Sequence, residues 1–288
     1  MYDHNLLQTS DEILDVKRLD QNSIVRGLDT HYFGRSLVIL DACSSTNDVA
    51  ARMAGEGAPH GAVVIAETQR SGRGRYGRPW YSPRGGVWMS VLIKPQRPFF
   101  SADSLPLIAA LATAKTLLKW GVRAGVRWPN DVVVDGRKIA GILVESRTKG
   151  NELTYATVGI GINANVDTDA IESIRASSTS LLTILDRVVN REELIVDILS
   201  NLEAMCESIG STRENAAIDI LETLDWSKGK HVIVRAVDRD VVGLFDGYAS
   251  LTTARILTKN GSELVEAATI LSVDYESDQI KRPQANKR

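Results

Sequence analysis

SGRGRYGRPWYSPRGG, residues 71 to 86, is the stretch on which the fold turns. Gly72, Gly74 and Gly77 spell G-x-G-x-x-G, the spacing of a dinucleotide-binding turn. Such a turn must open a helix, because the pyrophosphate sits on that helix's N-terminus. Here Pro79 and Pro83 follow at once, and two prolines so placed forbid a helix. The acidic ribose ligand expected about 20 residues further on is also missing. No Asp or Glu stands between Glu67 and Asp103. The dinucleotide reading fails.

Other glycine-loop readings fail on their companions. A kinase loop needs H-R-D and D-F-G, a Walker loop needs its terminal G-K-[ST], and none occurs. The R-G-G at Arg84–Gly86 stands once, without the repetition of RNA-binding segments. What remains is a mobile loop whose glycines permit large backbone changes and whose arginines supply planar, permanently charged forks. The acid-free stretch carries Arg70, Arg73, Arg75, Arg78, Arg84, Lys94 and Arg97. A solvated basic face is the plain alternative. Arginine density without compensating acids instead points to a bound anion, such as a triphosphate or an acyl phosphate.

Outward from the loop, strands expected at 36–45, 61–69, 86–95 and 155–165 are interleaved with helices. One amphipathic helix and turn is expected over 10–30, with Ile13, Leu14, Leu19 and Ile24 among its apolar points. A second begins at a Ser45 or Thr46 cap and a third spans 101–121, with Pro106 in its first turn. A fourth starts at Asn190, which forms a capping box with Glu193. Asp135-Gly136 predicts a type I′ hairpin, and the short strands beyond Trp226 include another at Asn260-Gly261. Without regular β-α-β alternation, the class is α+β with a largely antiparallel sheet.

Composition narrows the function. The net charge of −2 gives general nucleic-acid binding no support. No apolar run is long enough for a membrane span, and the polar, acidic N-terminus does not read as a secretory signal. Cys43 and Cys206 show neither metal-ligand spacing nor a disulfide framework. A cytoplasmic protein with no membrane partner is expected.

Four stretches then occur in order: SSTND (44–48), ETQRSGRGRYGRPWYSP (67–83), WPND with GRKIAGILVE (128–131, 136–145) and VGIGIN (158–163). Together they resemble the biotin–protein ligase family. The resemblance covers roughly 36–275. It implies a class II aminoacyl-tRNA-synthetase-like catalytic domain with a mixed, mostly antiparallel sheet (36–225). An SH3-like C-terminal β-barrel (226–275) follows it, flanked by an N-terminal helical extension (1–35) and a polar tail (276–288).

The implied reaction has two steps. ATP and biotin give biotinyl-5′-AMP and pyrophosphate, and biotin then passes to a lysine of a biotin carboxyl carrier domain. By resemblance Arg73, Arg75 and Lys138 are catalytic, with Arg73 and Arg75 on phosphate and biotin carboxylate and Arg78 in support. Asp131 matches the position linked to Mg²⁺, although an Asn-Asp turn residue would look the same. Asn130 and Asn163 match adenylate-binding positions. Biotin's neutral ureido ring needs donors and acceptors in an apolar slot. Ser45, Thr46, Asn47 and Gln69 supply them, with backbone near Gly72 and Gly141. Trp80 and Trp128 wall the pocket or serve as core. Asp167–Ser180 is the second loop, over the adenine.

Two departures from the family pattern shape the expectation. Before the first core strand there is no room for three packed helices, so a monofunctional ligase without nucleic-acid binding is expected. The stretch LFDGYASLTTARIL lacks the usual acidic-glycine pattern of the C-terminal hairpin. Rival readings are a lipoate or octanoate ligase of the same fold, and a catalytically silent biotin sensor. Many relatives dimerise through the catalytic sheet, which leaves a homodimer open.

Overall fold

The computed structural model describes residues 16–95, 101–150, 152–210 and 214–276. Ile13, Leu14, Arg97 and the polar tail beyond residue 276 lie outside these. The larger sheet has the order β1-β2-β3-β7-β6-β5-β4. Its strands are β1 (Leu37–Cys43), β2 (Val63–Gln69), β3 (Val87–Ile93), β4 (Gly125–Arg127), β5 (Asp131–Val134), β6 (Arg137–Lys149) and β7 (Glu152–Ile162). Only β1 and β2 run parallel, because α2 (Thr46–Gly55) carries the chain back between them. The remaining pairs are antiparallel, as expected for an α+β chain.

Alternation along β2 decides what each face buries. Val64 and Ala66 join Cys43, Val49 and Ala50 beneath α2. Val63 and Ile65 belong to the main core, which also holds residues of α3 (Leu105–Lys119) and α5 (Arg191–Gly210). All of β3 is buried, so its one hydroxyl, that of Ser90, must find partners inside the protein. It finds them on α2. That requirement brings the helix N-terminus down onto the sheet and opens the functional site there.

The smaller sheet is antiparallel, in the order β11-β10-β9-β8-β12. It comprises β8 (His231–Ala236), β9 (Asp240–Tyr248), β10 (Thr253–Thr258), β11 (Gly261–Glu266) and β12 (Ile270–Tyr275). Trp128 joins the two sheets. Its ring packs 5.6 Å from that of Phe245, and its carbonyl accepts a hydrogen bond of 3.0 Å from Tyr275 Oη. Among the described residues, no helix is long and apolar enough to cross a membrane.

Several local expectations change. α1 is confined to Gln21–Gly27, because Asp20 caps it by accepting from the N–H groups of Asn22 and Ser23. α6 (Glu214–Leu224) follows α5 where no helix was expected. Asn190 does cap α5, accepting from Glu192 N and Glu193 N, but its side-chain amide rather than its backbone answers Glu193. Ser45 caps α2 by position only, with no side-chain cap bond. The last hairpin turns on Lys259 and Asn260, and only Gly261 takes a positive φ, of 119°.

Asp225 sits where the sheets join, accepting from Ser227 N and Tyr248 Oη. Burial pushes its carboxyl up to about 6. A carboxyl raised on folding stabilises the protein while protonated, and this contribution fades as pH climbs from the unfolded to the folded value. Asp225→Asn should therefore flatten the stability profile between about pH 4 and 6. Urea unfolding of both proteins across that window checks it. Parallel profiles would remove Asp225 as the cause.

Candidate active site

A cavity of about 1060 Å³ opens between α2, the arginine loop, the ends of β6 and β7, and the edge strand β12. Its wall includes Ser45, Thr46, Asn47 and Gln69 at one end and Asn130, Asp131, Lys138, Gly141 and Asn163 at the other. Arg73, Arg75, Arg78 and Trp80 come in from the loop. The structure thus gathers all but one of the expected site residues around a single space.

The α2 end is lined by uncharged side chains, and Thr46, Asn47 and Gln69 are tied together by hydrogen bonds. Gln69 Oε1 accepts from Thr46 N (2.8 Å), and Gln69 Nε2 donates to Ser82 Oγ (2.9 Å). Ser90 Oγ lies 2.7 Å from Thr46 Oγ1 and donates to Asn47 Oδ1 at 2.6 Å. The Asn47 amide donates to Glu145 (2.8 Å) and to Leu143 O. It can lie this low only because β7 has a glycine beneath it. A Cβ on Gly159 would stand 2.7 Å from Asn47 Oδ1. Gly72 packs behind the cavity wall, where a Cβ would meet Ser82 Oγ and Trp80 O at 2.6 Å each.

The arginine loop forms a small hairpin. Gly74 N donates to Arg78 O and Trp80 N to Gly72 O, both at 2.8 Å. Tyr76 and Gly77 adopt positive φ at the tip. Arg75 Nη2 donates to the carbonyls of Ala267 (3.1 Å) and Ile270 (2.6 Å). Tyr76 Oη also donates to Ile270 O, and Arg78 donates to Leu271 O. The loop therefore satisfies free carbonyls at the edge of the smaller sheet. These partners are neutral, so Arg75 and Arg78 keep their charge for an anion.

Arg73 is held differently. Its guanidinium bonds the carboxylates of both Asp48 (2.7 Å) and Glu145 (2.9 Å). Hydrogen bonding from Arg73 holds the Asp48 carboxyl below its ordinary value. The acids missing from the local sequence are thus supplied by other elements, and Glu67 likewise lies 3.6 Å from Arg84.

Lys138 follows the type I′ turn, with Asp135 at φ 50° and Gly136 at 77°, as the sequence predicts. Its Nζ stands 2.5 Å from Asp131 Oδ1 and 4.9 Å above the Trp80 ring. Arg127 takes the other Asp131 oxygen at 3.1 Å. Burial works to raise the Asp131 carboxyl, and the charges of Lys138 and Arg127 override it, leaving the carboxyl below its ordinary value. Trp80 lies flat over two glycines: a Cβ on Gly161 would stand 2.7 Å from its Nε1, and one on Gly141 3.1 Å from its Cζ3. That Nε1 is buried without a hydrogen-bond partner.

Other expected residues serve partly as framework. Trp128 touches the cavity but is 1% exposed and belongs to the core. Asn130 donates to Ile142 O and Asn163 to Thr179 O, each tying down a strand end. The 167–180 segment crosses the start of β6, where Lys138 N donates to Ser177 O and Thr179 N to Lys138 O. Sequence reasoning missed Arg127 and the β12 edge, which carry no local signal. It quoted Asp48 and Glu145 inside motifs without assigning them a task.

Asp131 was the expected magnesium ligand. With Lys138 and Arg127 already on it, the donor set does not fit a resident divalent ion. Among the described residues the only group of three acids or histidines with metal-ligand spacing is His31, Glu203 and Glu207. Glu203 is committed there to the N–H groups of His31, Tyr32 and Phe33.

Comparisons with known proteins bear on the family of the chain and on its fold. Residues 40–163 match the Biotin/lipoate A/B protein ligase family. A biotin–(acetyl-CoA-carboxylase) ligase of Paracoccus denitrificans is 30% identical over 241 residues, covering 81% of this chain and 98% of that one. The bifunctional ligase/repressor BirA of Bacillus spizizenii is 34% identical over 185 residues, and the match spans 57% of its length. The biotin protein ligase from Aquifex aeolicus, solved in complex with biotin and ATP, superposes with a TM-score of 0.75. It is 26% identical, over 84% of this chain and 100% of that one.

Proposed function

The chain belongs to the biotin protein ligase family, and from that premise we propose that it makes biotinyl-5′-AMP from biotin and ATP and transfers biotin to a lysine of a biotin carboxyl carrier domain. One observation carries the reading. A single cavity joins the neutral slot of Thr46, Asn47 and Gln69 to a cationic end formed by Lys138, Arg75 and Arg78. The slot suits an uncharged ureido ring, and the cationic end suits a carboxylate meeting a triphosphate.

In the first step a biotin carboxylate oxygen attacks the α-phosphorus and pyrophosphate leaves with the bonding electrons. Two anions approach each other, so charge stabilisation is the main task. Lys138 exchanges Asp131 for the developing mixed anhydride, while Arg127 keeps Asp131 paired. Arg75 and Arg78 hold phosphate oxygens. In the second step the carrier's lysine amine attacks the acyl carbonyl, forming the amide and releasing AMP. A Mg²⁺ brought in by ATP would be held by its phosphate oxygens. The larger sheet serves as a class II synthetase-like catalytic unit, and the smaller one as an SH3-like barrel.

Biotin should drive exchange of labelled pyrophosphate into ATP, and lipoate or octanoate should not. Exchange driven by either of those acids instead would overturn the reading. Acyl adenylates hydrolyse readily, so the loop should close over the product. Trypsin should cut within Arg70–Arg84 of the free protein, and biotin with ATP should protect that site. Equal cleavage with and without ligands would sink the closure.

A further inference from the structure

Resting on this ligase reading, we infer that Glu145 is a positioning residue for the biotin slot and that Arg73 acts through it, not on the reacting anions. A guanidinium has five N–H donors. Arg73 spends Nε on Glu145 Oε1 (3.1 Å) and Nη1 on Asp48 Oδ2 (3.2 Å). Its Nη2 donors go to Asp48 Oδ1 (2.7 Å) and to Glu145 (2.9 and 3.0 Å). One positive charge thus faces two negative ones, and little of the fork is left for a phosphate.

Glu145 does more than neutralise it. Its Oε2 also accepts from Asn47 Nδ2 at 2.8 Å. The same carboxylate therefore fixes the base of the arginine loop, through Arg73, and the amide of Asn47. Asn47 has its oxygen turned to Ser90 and its nitrogen to Glu145 and Leu143 O. This sets which way the slot presents donor and acceptor. Glutamine at 145 keeps the size but must turn an NH₂ group toward either Arg73 or Asn47, donor against donor. One side of the link then fails.

The test is a double-mutant cycle on the full chain, read by biotin-driven ATP–pyrophosphate exchange. Arg73→Gln and Glu145→Gln should each raise KM for biotin about 10- to 100-fold, with kcat within about threefold. Residues acting as one unit are not additive, so the double variant should stay within about twofold of the worse single. Arg73→Lys, which keeps the charge but loses the fork, should behave as Arg73→Gln does. The lysine and glutamine variants at 73 decide the matter even if Glu145→Gln fails to fold. An additive double variant would overturn the inference. So would a kcat loss of about 100-fold in Arg73→Gln that lysine restores, since that marks a direct contact with the reacting anions. Wild-type protein showing no biotin-driven exchange overturns the ligase reading and this inference with it, whereas active wild type with additive variants overturns this inference alone.

Discussion

Lys138→Ala should slow formation of biotinyl-5′-AMP by on the order of 10²–10³, the usual cost of losing one preorganised charge or donor at a developing anion. Lys138 is set at the cationic end of the cavity by the Asp135-Gly136 turn and by backbone bonds on both sides, Lys138 N to Ser177 O and Thr179 N to Lys138 O. Its removal has a second consequence. Asp131 would keep only Arg127, at 3.1 Å, and would turn a less compensated negative charge toward the incoming phosphates. The loss should therefore fall on the chemical step and exceed that of Arg78→Ala, whose longest-range tie is a 3.3 Å bond to Leu271 O. Single-turnover formation of the adenylate, with a thermal melt to confirm folding, measures it. A Lys138→Ala rate within about threefold of wild type would remove Lys138 from the mechanism.

Glu67→Gln should destabilise the fold by about 3–5 kcal/mol, because it strands a buried charge. Glu67 and Arg191 each have side chains only 2% exposed, and they meet at 2.9 Å. Around them Arg191 also donates to Gly86 O and Lys17 O, while Glu67 accepts from Leu19 N. The pair thus ties the segment before α1 and the start of α5 to the end of β2, just before the arginine loop. Without the carboxylate, the Arg191 charge stays buried and Arg84 loses its nearby counter-charge. Urea unfolding at neutral pH reads the loss directly. A change below about 1 kcal/mol would show that water or a local shift relieves the charge.

These two sites differ in how well the sequence announces them. Lys138 follows a two-residue turn whose Asp-Gly chemistry is local, so its position after the hairpin can be read from the chain. Periodicity locates only the helix start at Thr46 and Asn47 and the strand end at Gln69. Their grouping as a slot comes from the family resemblance, because α2 meets β2 through Gln69 and β3 through Ser90. The Glu67–Arg191 pair spans 124 positions, and no local pattern relates its members. The arginine loop shows both cases. Its prolines correctly excluded a dinucleotide turn, because proline geometry acts on neighbours. Its apparent lack of acids was a local view only. Asp48 and Glu145 reach Arg73 from α2 and β6, and the carbonyls of β12 reach Arg75 and Arg78 from the other sheet. α1 was read too long because apolar spacing alone could not show that Asp20 would start the helix. α6 went unread although its AAIDILETL run is a good helix former.

Transfer of labelled biotin to a purified biotin carboxyl carrier domain tests the central claim most directly. The account predicts ATP-dependent label on one lysine of that domain, appearing on the order of 10²–10³ more slowly with Lys138→Ala and undiminished by excess unlabelled lipoate. Tight biotin binding with no label on the carrier would contradict it and leave a protein that senses biotin without using it.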